Sequence, residues 1–120
     1  MVRSFKDDVL GVVAPAGSVA VSVNDRNVFS VATKTANYTI LSTDHTIRVD
    51  ATGGAVTITL PDAGTVSGRV FCVKKVDLTS NAVNIATTSA QTIDDETGVA
   101  VYLKGTSITV QSNGTNWDIL

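Results

Sequence analysis

The amino-acid sequence predicts an all-β protein: an antiparallel β-sandwich or jelly-roll-like barrel that follows an extended N-terminal arm. Its 120 residues are 43% hydrophobic and 17% charged, which is enough apolar material for one packed core, while the chain is too short for two domains of ordinary size. Val, Thr and Ile number 19, 17 and 7 against 6 Leu and 1 Glu, and β-branched residues favour strands. From Tyr38 onward, short alternating runs are separated by turn residues at a spacing typical of sandwiches and barrels.

The first 36 residues differ in pattern from the rest and predict an arm that docks on a neighbouring subunit. A Val/Ala/Ser segment of low charge runs from Leu10 to Val23, and an apolar edge left free in water favours pairing with another chain. An extra hairpin of the domain is the alternative. The apolar side chains expected to bind the partner are Val2, Phe5, Val9, Leu10, Val28 and Phe29. Residues 37–120 then form the β-sandwich domain.

Two alternating runs near the start of this domain predict a hairpin. Thr46–Asp50 and Ala55–Leu60 each place their apolar side chains on one face. Gly53-Gly54 lies between them and suits a chain reversal, and Pro61 ends the second run because proline cannot donate to a strand ladder.

The run Arg69–Val76 has apolar side chains on both faces in its middle, which predicts a central strand that is covered on both sides. A second sheet would cover one face and an oligomer partner the other, and we therefore expect Phe71 and Val73 at an oligomer interface. The alternative is a β-bulge that redirects the side chains.

The chain ends in a predicted hairpin of Thr106–Ser112 and Trp117–Leu120, since Asn113-Gly114 supplies the left-handed geometry of a tight turn. Trp117 alternates in phase with Ile119, which predicts core packing. The alternative for Trp117 is an exposed platform for a ligand such as a sugar. The other predicted strands are Tyr38–Leu41, Val83–Ala86, Gln91–Asp94 and Val99–Leu103.

Composition argues against several classes of protein. The net charge is −2 and the nine Lys and Arg residues are scattered, so no nucleic-acid partner is expected. No apolar run is long enough to span a bilayer, so no membrane association is expected. Asp7 and Asp8 interrupt the N-terminal stretch, so we expect no cleaved signal peptide. The single cysteine, Cys72, has no partner for an internal disulfide and is expected to pack as a small hydrophobic residue.

Catalytic apparatus is nearly missing from the sequence, which contains one His, one Cys and one Glu and no glycine-rich phosphate loop. His45 lies in a predicted surface turn. The acidic cluster Asp94-Asp95-Glu96 is more typical of a solvated turn than of a calcium loop. We therefore expect no enzyme activity, no catalytic residue, no metal site and no cofactor.

A set of motifs in a fixed order resembles a module that recurs in tailed-bacteriophage structural proteins. The resemblance covers residues 37–120. One departure is Asp95, where the family often has a glycine after the aspartate. The motifs are Tyr38-Thr39-Ile40, Asp44 to Ile47, Ala55 to Pro61, Gly68-Arg69, Val73 to Asp77, Asn81 to Ile85, Gln91 to Asp94 and Ser112 to Trp117.

The resemblance implies a virion protein of the tail-fibre, appendage or head-surface type, which commonly trimerises. A single module that starts at Met1 behind a short arm favours a capsid decoration, or cement, protein: a homotrimer on the major capsid protein, assembled in the host cytoplasm and located on the capsid surface. A short tail-fibre or baseplate protein that contacts a host receptor is the alternative. A carbohydrate-binding module is less favoured, because only 5% of the residues are aromatic.

Overall fold

The computed structural model describes residues 28–120, and this part of the chain is almost entirely strand and turn. A single turn of 3-10 helix, Ala63–Thr65, interrupts the strands and begins at Asp62, whose carboxylate accepts from the Gly64 N–H. Most predicted strands are confirmed to within two residues at each end. The strands are β1 Val31–Lys34, β2 Tyr38–Thr39, β3 Thr46–Val49, β4 Val56–Thr59, β5 Val70–Lys75, β6 Val83–Ala86, β7 Gly98–Val101, β8 Ser107–Ser112 and β9 Trp117–Ile119.

The strands form two mixed sheets rather than an antiparallel sandwich or a closed barrel. One sheet has five strands in the order β1-β3-β5-β8-β9 and the other has four in the order β2-β4-β6-β7. From β1 to β6 the chain alternates between the sheets, so that β1, β3 and β5 are parallel to one another, as are β2, β4 and β6. Antiparallel pairing is confined to β5-β8, β6-β7 and β8-β9. The β-rich class is confirmed, and the all-antiparallel expectation is wrong.

The predicted hairpin of Thr46–Asp50 with Ala55–Leu60 is also wrong, because β3 and β4 lie in different sheets. The link between them carries the chain across the core. Ala51 is fixed in this link by a hydrogen bond from its N–H to the Asp77 carboxylate, 2.8 Å, and by one from the Asn81 side chain to its carbonyl, 2.8 Å. These contacts tie the link to the turn after β5. The link thus carries the chain from β3 to β4 in the other sheet, and β5 returns to pair with β3 in parallel.

One hydrophobic core lies between the two sheets, and both contribute buried side chains to it. β5 is the central strand of the five-stranded sheet, as predicted. Its side chains alternate, with Phe71, Val73 and Lys75 buried and Val70 and Cys72 half-buried on the other face. The largest buried apolar side chains are Trp117, Phe71, Ile40, Ile47, Ile58, Leu60, Ile85 and Ile93.

The final hairpin is confirmed: β8 and β9 are antiparallel, and Gly114 has a left-handed φ of 95° in the turn between them. The predicted strand Gln91–Asp94 is reduced to two isolated bridges of Ile93, one to Glu96 and one to Trp117. The chain reverses there because Asp94 and Asp95 have left-handed φ values of 47° and 69°, which no strand accommodates.

β1 pairs with β3 along its whole length, so residues 31–34 belong to a sheet of the domain rather than to a separate arm. The turns lie at two ends of the sheets. We call the end where β1 begins the entry end; it carries residues 28–30, 40–45, 60–69, 87–97 and 113–116. The far end carries residues 35–37, 50–55, 76–82 and 102–106.

Candidate interaction surface

An open groove of about 680 Å³ lies at the entry end, where the described chain begins. Apolar side chains and two ring systems contribute most of its surface, and Arg69 and Asp44 lie at its polar side. The residues that line it are Val28, Phe29, Ser30, Thr43, Asp44, His45, Gly68, Arg69, Val70 and Thr109.

Phe29 and His45 form the aromatic part of this groove. Their rings are stacked, with centroids 4.1 Å apart and planes at 12°. The Thr46 N–H donates to the Ser30 carbonyl at 3.0 Å, and this bond fixes the chain just after Phe29. Val28 and Phe29 remain 85% and 56% exposed, so both predicted partner-binding residues present apolar surface.

Arg69 shapes the floor of the groove through contacts with the backbone. Its guanidinium donates to the carbonyl oxygens of Ser42 and Asp44, the latter at 2.9 Å, and lies 5.2 Å from the centre of the Phe71 ring. An arginine held in this way is a fixed structural cation rather than a mobile ligand-binding group. Its donors satisfy two carbonyls of the turn that precedes β3.

Tyr38 and Asp44 connect the same turn to the other sheet. The Tyr38 hydroxyl donates to the Asp44 carboxylate, which also accepts from the Leu41 N–H at 2.8 Å. The Lys34 ammonium lies 4.0 Å above the Tyr38 ring. The hydrogen bond to Asp44, partial burial and the negative charge of Asp44 raise the pKa of Tyr38 to about 12.

The outer face of the five-stranded sheet extends from this groove toward the far end. We define it by the side chains that point away from the core, which lie in three cross-strand rows. The row at the groove is Val70, Gln111 and Asp118. The middle row is uncharged: Val31, Thr46, Cys72 and Thr109. The next row contains two cations: Thr33, Arg48, Lys74 and Ser107.

Phe71 and Val73 do not form the interface that the sequence predicted. Both are buried in the core of the single chain, with 0% and 1% of their surface exposed. The second apolar face of β5 exists, but it is made by Val70 and Cys72. The wrong face was assigned because both faces of the run are apolar, and the two-residue alternation of a strand does not show which face points toward the second sheet.

Trp117 is a core residue and is unsuitable as a ligand platform, because its side chain is 0% exposed. Its ring lies 5.7 Å from that of Phe71 at an angle of 48°. Within the described chain its indole Nε1 is buried without a hydrogen-bond acceptor. The core-packing interpretation is therefore confirmed.

Sequence reasoning missed a buried polar cluster at the far end. Lys75 is fully buried, and its ammonium lies 2.8 Å from the Asp77 carboxylate. Asp77 also accepts from the N–H groups of Ala51 and Thr79 at 2.8 and 3.0 Å and from the Thr79 hydroxyl. The signal was present, since Lys75 follows Phe71 and Val73 at the spacing of inward-facing residues.

Burial by itself would raise the pKa of Asp77, but hydrogen bonds from Lys75, from Thr79 and from the Ala51 N–H outweigh it, so the pKa lies well below its ordinary value of 3.8. The cluster joins the link after β3, at Ala51, to the end of β5 and the turn that follows it. These contacts hold the link and the turn together around two buried side chains.

The remaining sequence predictions concern the arm residues, metal binding and membrane association. Val2, Phe5, Val9 and Leu10 lie outside the described residues. Between residues 28 and 120, no group of three or more His, Cys, Asp or Glu is placed to hold a metal ion. In the same range, no helix is long and apolar enough to cross a membrane.

Comparison of the chain with protein-family models, with curated proteins and with solved structures finds no match. Surface geometry and the sequence motifs are therefore the basis for a functional proposal.

Proposed function

We propose that this protein is a structural component of a tailed-phage virion, a homotrimeric decoration protein that binds the outer surface of the capsid and stabilises the shell. The observation that carries the proposal is the groove at the entry end. It presents Phe29 stacked on His45 where the chain leaves the predicted N-terminal arm. A site of this kind suits docking against another protein.

The energetics of a decoration protein fit such a surface. Exposed apolar groups at an arm junction give contacts that are weak individually, and three linked copies gain roughly 10² to 10⁴ in avidity when all engage the same shell. Phe29 and Val28 are suited to be anchors because aromatic and apolar side chains at the centre of an interface contribute most of its binding energy. The rest of the domain is a stable spacer between the anchor and the solvent.

A short tail-fibre or baseplate protein is the second candidate, and the far end favours it. Leu78, Tyr102 and Leu103 are exposed in two far-end turns, with Leu78 85% exposed. The Gly105 N–H donates to the Lys75 carbonyl at 2.8 Å, which places the turn 102–106 beside the end of β5. An apolar surface at the end opposite the anchor suits contact with a host receptor.

Immunolabelling of virions distinguishes the two candidates. A nanobody raised against the protein is added to particles from a producing lysate, and the label is located by electron microscopy. Label at regular positions over the head supports decoration, and label confined to the tail tip supports the appendage. Virions that carry no label would contradict both.

A pair of variants tests whether the groove is the part of the protein that binds the capsid. Phe29→Ala is expected to reduce binding of the purified protein to undecorated heads at least about tenfold, since a central aromatic anchor contributes about 2 kcal/mol or more. The matched control is Tyr102→Ala, which removes an exposed aromatic ring at the far end. Equal binding by the two variants would mean that the groove does not anchor the protein.

A further inference from the structure

Arg48 and Lys74 are direct cross-strand neighbours on the outer face of the five-stranded sheet. Like charges at directly opposed positions destabilise a sheet unless something compensates them. Among residues 28–120 the ion pair that forms is that of Lys75 with Asp77, and Arg48 donates a 3.3 Å hydrogen bond to the Thr33 hydroxyl. The outer face therefore carries two adjacent cations that no carboxylate of the described chain neutralises.

The β9 edge of the same sheet is acidic. The turn Asp94-Asp95-Glu96 lies against β9, since the Asp94 N–H donates to the Trp117 carbonyl at 3.0 Å and the Ile119 N–H donates to the Asp94 carboxylate at 3.2 Å. Asp95 and Glu96 are both exposed. Asp118 adds a further exposed carboxylate on β9 itself. One sheet thus has two cations on its outer face, on β3 and β5, and carboxylates at its β9 edge.

We propose that a second copy of this chain docks on the outer face, with its acidic turn Asp94-Asp95-Glu96 against Arg48 and Lys74. This inference takes one element from the proposed function, namely that the protein acts as an assembly of several copies. Each copy has both halves of the interface, so the contact is head-to-tail. Such contacts close into a ring when the rotation between copies permits.

The uncharged row beside the two cations supplies the apolar part of the interface. Cys72 in this row and Val70 in the row beside it are half-buried, and Val31 is exposed. A neutral strip flanked by charge matches the general anatomy of interfaces, which have an apolar centre and a polar rim. The charged pairs would then fix register and speed association, and they make assembly sensitive to salt.

Charge reversal on each half tests the proposal. Arg48→Glu with Lys74→Glu, and separately Asp95→Lys with Glu96→Lys, are each expected to lower the self-association constant by roughly a hundredfold, because both leave like charges facing each other. The chain with all four changes restores opposite charges and is expected to regain the wild-type mass. Lys104→Glu, in a far-end turn, is the control and should assemble normally. Sedimentation-velocity ultracentrifugation over a range of concentration and salt gives the readout.

Cys72 provides a second readout within the same variants. Its thiol lies on the proposed interface, so alkylation by a bulky maleimide is expected to be slow in the assembly and at least about tenfold faster in either charge-reversed pair. Circular dichroism of each variant shows whether it is folded, and Arg48→Gln with Lys74→Gln replaces the double reversal if that chain unfolds.

Three outcomes would overturn the proposal. They are wild-type mass in both reversed pairs, failure of the fourfold variant to reassemble while folded, and protection of Cys72 that does not depend on protein concentration. The last would indicate that residues 1–27 of the same chain cover the face. Failure here is separate from failure of the proposed function, because a chain that is monomeric in solution would still label virions at the head or the tail.

Discussion

The ammonium of Lys75 and the carboxylate of Asp77 form an ion pair of 2.8 Å at the far end of the core, where both side chains are buried. The two charges, one on the last residue of β5 and one two residues later, thereby compensate each other. The Asp77 carboxylate has further donors in Ala51 and Thr79, so it joins its own turn to the link after β3, 26 residues earlier in the sequence. A buried charge is tolerated only when it is paired and hydrogen-bonded, and this pair meets both conditions.

Acid is expected to destabilise the protein through Asp77. Its folded pKa lies below the unfolded value of 3.8, so the stabilisation is complete above that value and is lost as pH falls below it, when the unfolded chain binds a proton that the folded chain resists. Chemical denaturation at a series of acidic pH values measures this loss of stability, which we call the acid limb. Asp77→Asn should lower stability at neutral pH and flatten the acid limb.

The matched control for that variant is Asp118→Asn. Asp118 is exposed and accepts one 3.2 Å hydrogen bond from the Asn113 amide. An acid limb in Asp77→Asn as steep as that of Asp118→Asn would show that the buried pair does not govern acid stability.

Alkali is expected to destabilise the protein through Tyr38. Its pKa is raised from 10.0 to about 12 by the hydrogen bond to Asp44 first, then by partial burial and the Asp44 charge. The contribution of Tyr38 is therefore present below pH 10.0 and is lost as pH rises from there toward about 12. Tyr38→Phe should reduce this alkaline loss, and Tyr102→Phe, at an exposed ring, serves as the control. Identical alkaline limbs in the two variants would contradict the assignment.

Trp117 is expected to be among the largest single contributors to stability. Trp117→Ala removes the ring packed on Phe71 and should lower the free energy of unfolding by about 3–5 kcal/mol. Trp117→Phe should cost less, because it also removes a buried N–H that has no acceptor within the described chain. Urea titration followed by circular dichroism measures both variants. An alanine variant within about 1 kcal/mol of wild type would contradict the core placement.

Asp95 is expected to be improved by glycine. Its φ of 69° lies in the left-handed region, which costs non-glycine residues about 1 kcal/mol and glycine very little. After the greater backbone entropy of glycine in the unfolded chain is subtracted, Asp95→Gly should raise stability by up to about 0.5 kcal/mol. Asp95→Val should lower it by about 1 kcal/mol or more, because β-branched residues are strained at positive φ.

Glu96→Gly is the control for position 95, because Glu96 is exposed, acidic and adjacent but does not have a positive φ. It should be less stable than wild type. The ranking of the four chains in thermal melts is the measurement, and a glycine at position 95 that destabilises as much as one at position 96 would contradict the account.

The sequence by itself determined where most strands lie and, outside β5, which of their side chains point inward. Alternation identified β6 to the residue, the last hairpin and the burial of Trp117, because the two-residue period of a strand is local to the strand. The turn at Asn113-Gly114 followed from the same local chemistry. Cys72 and Val70 were recognisable as a second apolar face, although the sequence assigned the wrong pair to it.

Apart from the β8-β9 hairpin, tertiary structure alone decided which strands are neighbours. A strand with alternating apolar and polar side chains can pair with a parallel or an antiparallel neighbour. The hydrogen bonds between strands are made by backbone groups, which nearly all residues have in common, so they do not select the partner. β3 therefore pairs with β1 and β5 instead of β4. The stack of Phe29 on His45 and the links from Asp77 to Ala51 join residues distant in the chain. No local pattern encodes such contacts, because they depend on how the chain crosses between the two sheets.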